Sequence, residues 1–322
     1  MKLFGLALVV ALGVSFGAQA QDFPSQVVLK ISNDPASSWD IVGRLTAPYL
    51  QKLLPGSPTI AIENVPAASG MQLSRQMVTT EPTDGSVLGM VPLRAISTFK
   101  TDPTRLDFDP TGLQWVAALA KPTPLCVAKK GRGLKLTDPG ITLATTNKTS
   151  SFYIMASIAK LASKNDFRIV AGFEGEGELA AAVDRGEIDA YCGVTYSTFL
   201  REGRGDQLDI LAGVGDPQVL AKVGAPDLLA GVEGLDRQAI DLLTSGFVKF
   251  YAFALPPGTP ESVLKTYREA FDALSTDEAY LAALSTKIVD YAMTDGEELE
   301  AFVTGIFGYD DAVVKRALEL TQ

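Results

Sequence analysis

Apolar positions along the chain fall into two alternating rhythms. Short apolar or β-branched runs at 26–31, 59–62, 86–91, 114–119, 125–129, 141–145, 167–171, 190–194 and 208–214 are bounded by turn residues, as buried strands are. Between them lie stretches with helical spacing: Ile41, Leu45, Tyr49 and Leu53 share one face, and Val263, Tyr267, Phe271 and Leu274 share another. Residues 152–162 and a final stretch around 297–320 also read as helix. By contrast 101–113 is rich in Asp and Pro and reads as irregular, and 215–246 reads as loop with a short helix. Recurrent strand–helix alternation in both halves predicts two α/β lobes, which suits 322 residues at about 100–200 residues per domain.

The densest signal lies at 59–90. A strand runs into the small-residue turn Pro66-Ala67-Ala68-Ser69-Gly70, then a helix-length stretch, the turn Asp84-Gly85 and a second strand. Small residues between a strand and a helix let a ligand approach the backbone, and helix N-terminal amides attract anions; the same residues also serve packing alone. Other strand ends carry hydroxyls. Ser37 and Ser38 precede Trp39-Asp40 at a helix start, Thr146-Asn147-Lys148-Thr149-Ser150-Ser151 opens the 152–162 helix, and Thr195 and Ser197 come directly after the 190–194 strand. The first two are helix caps in the plain reading and ligand donors in the functional one, and the third places hydroxyls at a strand's C-terminal end. Arg94 lies just past a strand at the edge where doubly wound sheets bind ligands, and is either solvated or a carboxylate partner. Trp39 is either an apolar pocket wall or core. Asp40 and Arg44 are spaced for an i, i+4 ion pair, which on most helices is a surface contact of little consequence.

Composition narrows the chemistry. Residues 1–20 read as a secretory signal, with Lys2, an apolar run from Leu3 to Val14 and Ala18-Gln19-Ala20 as the cleavage site, so the mature protein is expected in the periplasm. The apolar run is too short to span a bilayer, which needs about 20 residues. The formal charge is −10, and removal of the leader takes away Lys2 and no acid. Such a chain disfavours nucleic acid and anionic membrane as partners, and any anionic ligand must be held by local amides and hydroxyls. Histidine is absent, which removes His-dependent triads and the commonest zinc ligand; no catalytic residue, metal or cofactor is expected. Cys126 and Cys192 sit in strand-like runs and are either paired or two buried thiols.

Glu63-Asn64-Val65-Pro66-Ala67-Ala68-Ser69-Gly70 together with Pro82-Thr83-Asp84-Gly85 resembles the signature of the substrate-binding proteins of tripartite tricarboxylate transporters, the Bug receptors. Pro256-Pro257-Gly258-Thr259-Pro260 resembles a further segment of that family, and Val183, Gly186 and Asp189 fit its L-x-x-G-x-x-D pattern. Ala67 and Ser69 stand where the family favours glycine, and Pro35-Ala36-Ser37-Ser38 replaces its paired glycines before Asp40 and Arg44. The resemblance covers the mature chain. It implies a type II periplasmic binding-protein fold, two α/β lobes joined by two crossover strands with a ligand cleft between them. Lobe 1 would take 21–118 and the return segment 247–322, and lobe 2 would take 119–246.

The function implied is capture of a small organic acid and its delivery, by a monomer, to the membrane subunits of a tripartite tricarboxylate-type transporter. The residues implied are Ser37, Ser38, Trp39, Asp40, Ala68, Ser69, Arg94, Asn147, Thr149, Ser150, Ser151, Phe173, Glu174, Thr195 and Ser197. Glu174 and Glu176 depart from the family's aromatic-x-Gly-Gly segment. They either complement a helix dipole in solvent or select an amine or zwitterion. The rival functions are a receptor presenting ligand to a sensor kinase and, without histidine, a periplasmic enzyme using paired carboxylates or Ser150 with Lys148.

Overall fold

A computed structural model describes residues 23–321, apart from residues 149 and 202 and the side chains of Ser69 and Arg201. The leader read at 1–20, Thr149 and the Ser69 hydroxyl therefore lie outside the described residues. The first lobe opens with β1 (Gln26–Ile31), α1 (Ser38–Leu53), β2 (Thr59–Asn64), α2 (Met71–Thr79), β3 (Val87–Met90), α3 (Arg94–Thr101) and β4 (Gln114–Ala120). The chain crosses through 121–123 into β5 (Pro124–Lys129), β6 (Thr142–Thr145), α4 (Ser151–Ser163), β7 (Arg168–Ala171) and α5 (Glu176–Arg185). Then come β8 (Ala190–Thr195), α6 (Tyr196–Arg201), β9 (Leu208–Gly213), α7 (Pro217–Val223) and α8 (Gly234–Thr244). The return gives β10 (Phe250–Leu255), α9 (Glu261–Leu274), α10 (Glu278–Ser285), β11 (Tyr291–Asp295), α11 (Gly296–Phe307) and α12 (Asp311–Leu320).

Two mixed sheets result, ordered β11-β4-β10-β3-β1-β2 and β7-β6-β8-β5-β9. β1 runs parallel to β2 and β3, and β6 runs parallel to β7 and β8. Within each sheet one strand is inserted antiparallel, β10 between β3 and β4 and β5 between β8 and β9, and the first sheet adds β11 antiparallel to β4 at its edge. Each inserted strand is the first laid down after a crossing, so β11 apart the two sheets share one strand order and exchange one strand position each. The first crossing is a short extended link, whereas the return is made by α8 and the segment 245–249. Glu298 of α11 ties both: its carboxylate accepts from Lys249 Nζ at 2.7 Å and lies 3.5 Å from Lys121 Nζ.

Both faces of each sheet are covered, which is why the strands read as apolar runs. Leu29, Ile31 and Phe253 pack on one face of the first sheet, and Leu73, Met77 and Trp115 on the other. α8 is shared, with Ala239 and Leu242 in the first lobe's core and Ile240 in the second's. Cys126 and Cys192 face each other in the β5–β8 register and form a disulfide, both fully buried.

Departures from the sequence reading have local causes. The 297–320 stretch is two helices rather than one, because Asp310 caps α12 by accepting the Val313 amide at 3.0 Å. The irregular 101–113 holds two one-turn 3-10 segments, each started by an aspartate: Asp102 accepts the Thr104 amide and Asp109 that of Thr111. Residues 215–246 contain two helices, α7 and α8, where one short helix was expected.

Candidate functional site

The site is built from the loops that leave the parallel strands, since ligands of open α/β sheets bind outside their carboxyl ends. After β1, Ser37 caps α1 by accepting the Asp40 amide at 3.2 Å, with Ser38 as the first helical residue. Trp39 is core, not pocket wall: it is 5% exposed and meets the Phe250 and Tyr251 rings edge-on at 5.1 and 5.3 Å.

Asp40 is bonded within its own loop. Buried at 3% exposure, it accepts from the Ala36 amide (2.9 Å), Arg44 Nε (2.9 Å) and Asn64 Nδ2 (2.9 Å). Asn64 also donates to the Asn33 carbonyl at 2.9 Å and accepts from Arg44 Nη2 at 3.1 Å. Burial pulls the Asp40 carboxyl up, but the Arg44, Ala36 and Asn64 donors outweigh it and hold it below its ordinary range. A carboxylate whose lone pairs accept from its own loop holds that loop in place. Its network locks Ala36 in a left-handed turn (φ 64°) and so shapes the loop before Ser37.

The loop after β2 turns at Ala68 (φ 48°) and Gly70 (φ 86°). Gly70 rests on Pro92 after β3 and on Ser32 after β1, so the three strand-end loops of the first lobe form one surface. Ala68 is exposed there, and Arg94, partly buried, begins α3 after Pro92 and Leu93.

The second lobe repeats the arrangement. Ser150 caps α4, accepting the Tyr153 amide at 3.2 Å while donating to the Asn147 carbonyl at 2.8 Å. Ser151 is the first residue of that helix, and Asn147 is exposed. The loop after β7 lies against this one, because the Gly172 amide donates to the Thr146 carbonyl at 2.8 Å. Phe173 packs on the core beside it. Glu174 is exposed, and its amide donates to Glu178 Oε2 at 2.6 Å, so Glu178 serves its own loop at the start of α5.

The two hydroxyls after β8, like that of Ser150, bond within the protein. Thr195 Oγ1 donates to Thr198 Oγ1 at 3.0 Å and accepts the Thr198 amide at 3.2 Å, fastening the start of α6. Ser197 Oγ donates to Asp290 Oδ1, which belongs to the first lobe, and accepts the Val289 amide at 3.3 Å. Ser197 joins the lobes next to the first crossing.

Where the lobes meet on the α3 side there is a cavity of about 250 Å³, lined by Arg94, Arg105 and Lys148 among others. Of the residues expected at the ligand, Arg94 lines it. Arg105, in the irregular stretch after α3, escaped sequence reasoning. Its only signal is that Arg94, Ser97 and Thr101 recur at helical spacing ahead of it.

Comparison with solved structures places this architecture. A TctC solute-binding protein from Polaromonas, without ligand, aligns over 91% of this chain and 98% of its own at a TM-score of 0.71 and 15% identity. A Rhodopseudomonas palustris protein with adipate aligns over 91% and 97% at 0.66 and 16% identity. MatC from Rhodopseudomonas palustris, with bound malate, aligns over 92% and 99% at 0.59 and 18% identity. No protein-family model matches the chain, and no curated protein sequence does. The likeness shows the fold, that of the two-lobed periplasmic binding proteins.

Proposed function

We propose that the protein is an extracytoplasmic solute-binding protein that holds a small organic acid between its lobes and delivers it to the membrane subunits of a tripartite tricarboxylate-type transporter. The observation that carries this reading is the pair of strand-end surfaces, one per lobe, each made of touching loops that end in serine-capped helix N-termini at Ser37 and Ser150. Amides and hydroxyls at such termini suit a carboxylate without a net positive surface. Two proteins of the same fold carry malate and adipate, which supports the class of solute. In this reading the leader at 1–20 is removed after Ala20, the protein is a monomer and not an enzyme, and the solute is released unchanged. Binding favours the closed arrangement of the lobes by its differential affinity for it, and the closed form is what the membrane partner receives.

Thermal shift and titration calorimetry on residues 21–322 test the reading with malate, adipate, putrescine and an amino acid. At a hundred times its dissociation constant a solute adds about 2.7 kcal/mol. At roughly 2–4 °C per kcal/mol for a chain of this size, that is a rise of several degrees. Saturable binding of a carboxylate, weakened by Ser150→Ala, is the expected result. A response to putrescine or the amino acid alone, with none to carboxylates, overturns it.

A further inference from the structure

Asn64 is the last residue of β2, and its carboxamide makes three hydrogen bonds. Nδ2 donates to the Asn33 carbonyl and to Asp40 Oδ1, both at 2.9 Å, and Oδ1 accepts from Arg44 Nη2 at 3.1 Å. Turning the group over would set Oδ1 against two acceptors and Nδ2 against a guanidinium, so its partners fix its orientation. The pattern asks for asparagine: two donors and an acceptor on a short side chain, where an ionised aspartate has no donor. The next amide, that of Val65, donates to the Ile31 carbonyl at 2.8 Å. Residues 64 and 65 thus hold the carbonyls on both sides of Ser32, on which Gly70 rests. Asp40 in turn accepts the Ala36 amide at 2.9 Å, so the same carboxamide reaches the turn that leads to the Ser37 cap.

We propose that Asn64 is a positioning residue for solute capture, setting the loop after β1 in register with the loop after β2. The Ser37-capped start of α1 and the Ala68–Gly70 turn then face one solute together. This role rests on the solute-binding reading and deepens it, because Asn64 acts through Asp40 and Asn33 and not by contact with the solute. A loop held at two points keeps its donors aimed before the solute arrives, and binding then loses less conformational entropy in ordering it.

The test compares Asn64→Ala and Asn64→Asp with the parent by calorimetry, using malate and adipate, and by hydrogen exchange of residues 32–37. Every value is taken relative to the parent at the same pH, so titration of the solute cancels. At pH 7 both variants should bind about tenfold more weakly, the scale of a lost hydrogen bond to a charged group, and exchange faster at 32–37. Asn64→Asp brings a second carboxylate to Asp40 Oδ1, and two carboxyls in one site share a proton with an upper pKa near about 4.7. At about pH 4.5 that proton restores the link, so Asn64→Asp should regain affinity and protection in part, and Asn64→Ala neither. Asp40 of the parent is held below its ordinary range and stays ionised there. Tyr267→Phe removes a buried bond to the Gly85 carbonyl, ahead of β3; it controls for lost stability and should bind as the parent does. Parent-like affinity in Asn64→Ala at pH 7 overturns the proposal and leaves the solute-binding reading intact. The same deficit in Asn64→Asp at both pH values overturns the route through Asp40. Failure of the parent to bind either acid removes the solute-binding reading and the role at Asn64 with it, and is seen in the parent rather than in the variants.

Discussion

Ser197 Oγ donates to Asp290 Oδ1, so the first turn of α6 in one lobe is fastened to the segment that leads into β11 in the other. The bond sits beside the first crossing, where the Lys121 amide donates to the Asp290 carbonyl and the Tyr196 amide to the Thr123 carbonyl. Asp290 is 7% exposed, and its second carboxylate oxygen is buried without a hydrogen-bond partner among the described residues.

That environment gives the contact a pH dependence. Burial pushes the Asp290 carboxyl up, offset in part by the Ser197 hydroxyl and the backbone amides of Asp290 and Thr123. A carboxyl raised above its unfolded value of about 3.9 favours the folded state most when protonated. Its contribution is therefore full below about pH 4 and is lost as pH rises through the folded pKa. Asp290→Asn keeps the acceptor for Ser197 and removes the charge. Its melting temperature should match the parent's near pH 4 and exceed it increasingly toward pH 7, by about 1 kcal/mol of stability, the scale of one hydrogen-bonding group. A variant less stable than the parent at every pH would show that the ionised carboxylate is needed.

Asp40 should behave with the opposite sign. Its pKa is held down, so its contribution is present above the unfolded value of about 3.9 and is lost as pH falls through the folded one. Asp40→Ala strands the Ala36 amide and the Asn64 amide group, at a cost of about 2–3 kcal/mol. Denaturant melts at pH 7 and pH 3 separate the two aspartates: the Asp40→Ala deficit should be smaller at pH 3 than at pH 7. Equal deficits at both would refute the assignment.

Fold and site were not equally legible in the sequence. Strand positions came through because the sheets are covered on both faces, so a central strand such as β4 carries an apolar run that no turn residue interrupts. β11 did not, since Tyr291, Ala292 and Met293 are only partly buried at a sheet edge. Hydroxyl-rich loops were readable as helix starts, and Ser37 and Ser150 are caps. What a hydroxyl at a strand end faces was not readable. Ser197 and Thr195 have the same local sequence setting, yet one crosses to Asp290 and the other stays on Thr198, because the difference lies in chain nearly a hundred residues away. Trp39 shows the same limit: an aromatic beside a loop is core when β10 brings Phe250 and Tyr251 to it.

The Cys126–Cys192 bond closes a sequence separation of 66 residues. On the loop-entropy estimate it stabilises the fold by about 4 kcal/mol, hence roughly 10 °C in melting temperature. Both residues are fully buried, so a reductant added to the folded protein should leave the melting curve unchanged over minutes. The same reductant applied after brief unfolding and refolding should lower it. A prompt fall without unfolding would mean that β5 and β8 separate locally.

Gly70 and Gly56 separate backbone strain from contact. Both have positive φ, 86° and 74°, where an alanine is strained by about 1 kcal/mol. At Gly56 an added Cβ meets nothing within 4 Å, whereas at Gly70 it would lie 2.5 Å from Pro92 Cγ and 3.2 Å from Ser32 Cβ. Gly56→Ala should therefore lose only the conformational part. Gly70→Ala should lose a further 1–3 kcal/mol or so, the scale of overpacking, as the loops after β1, β2 and β3 are forced apart. Because those loops form the first lobe's strand-end surface, carboxylate affinity should fall in Gly70→Ala and hold in Gly56→Ala. Equal melting temperatures for the two variants would mean that the loop after β2 yields without disturbing its neighbours.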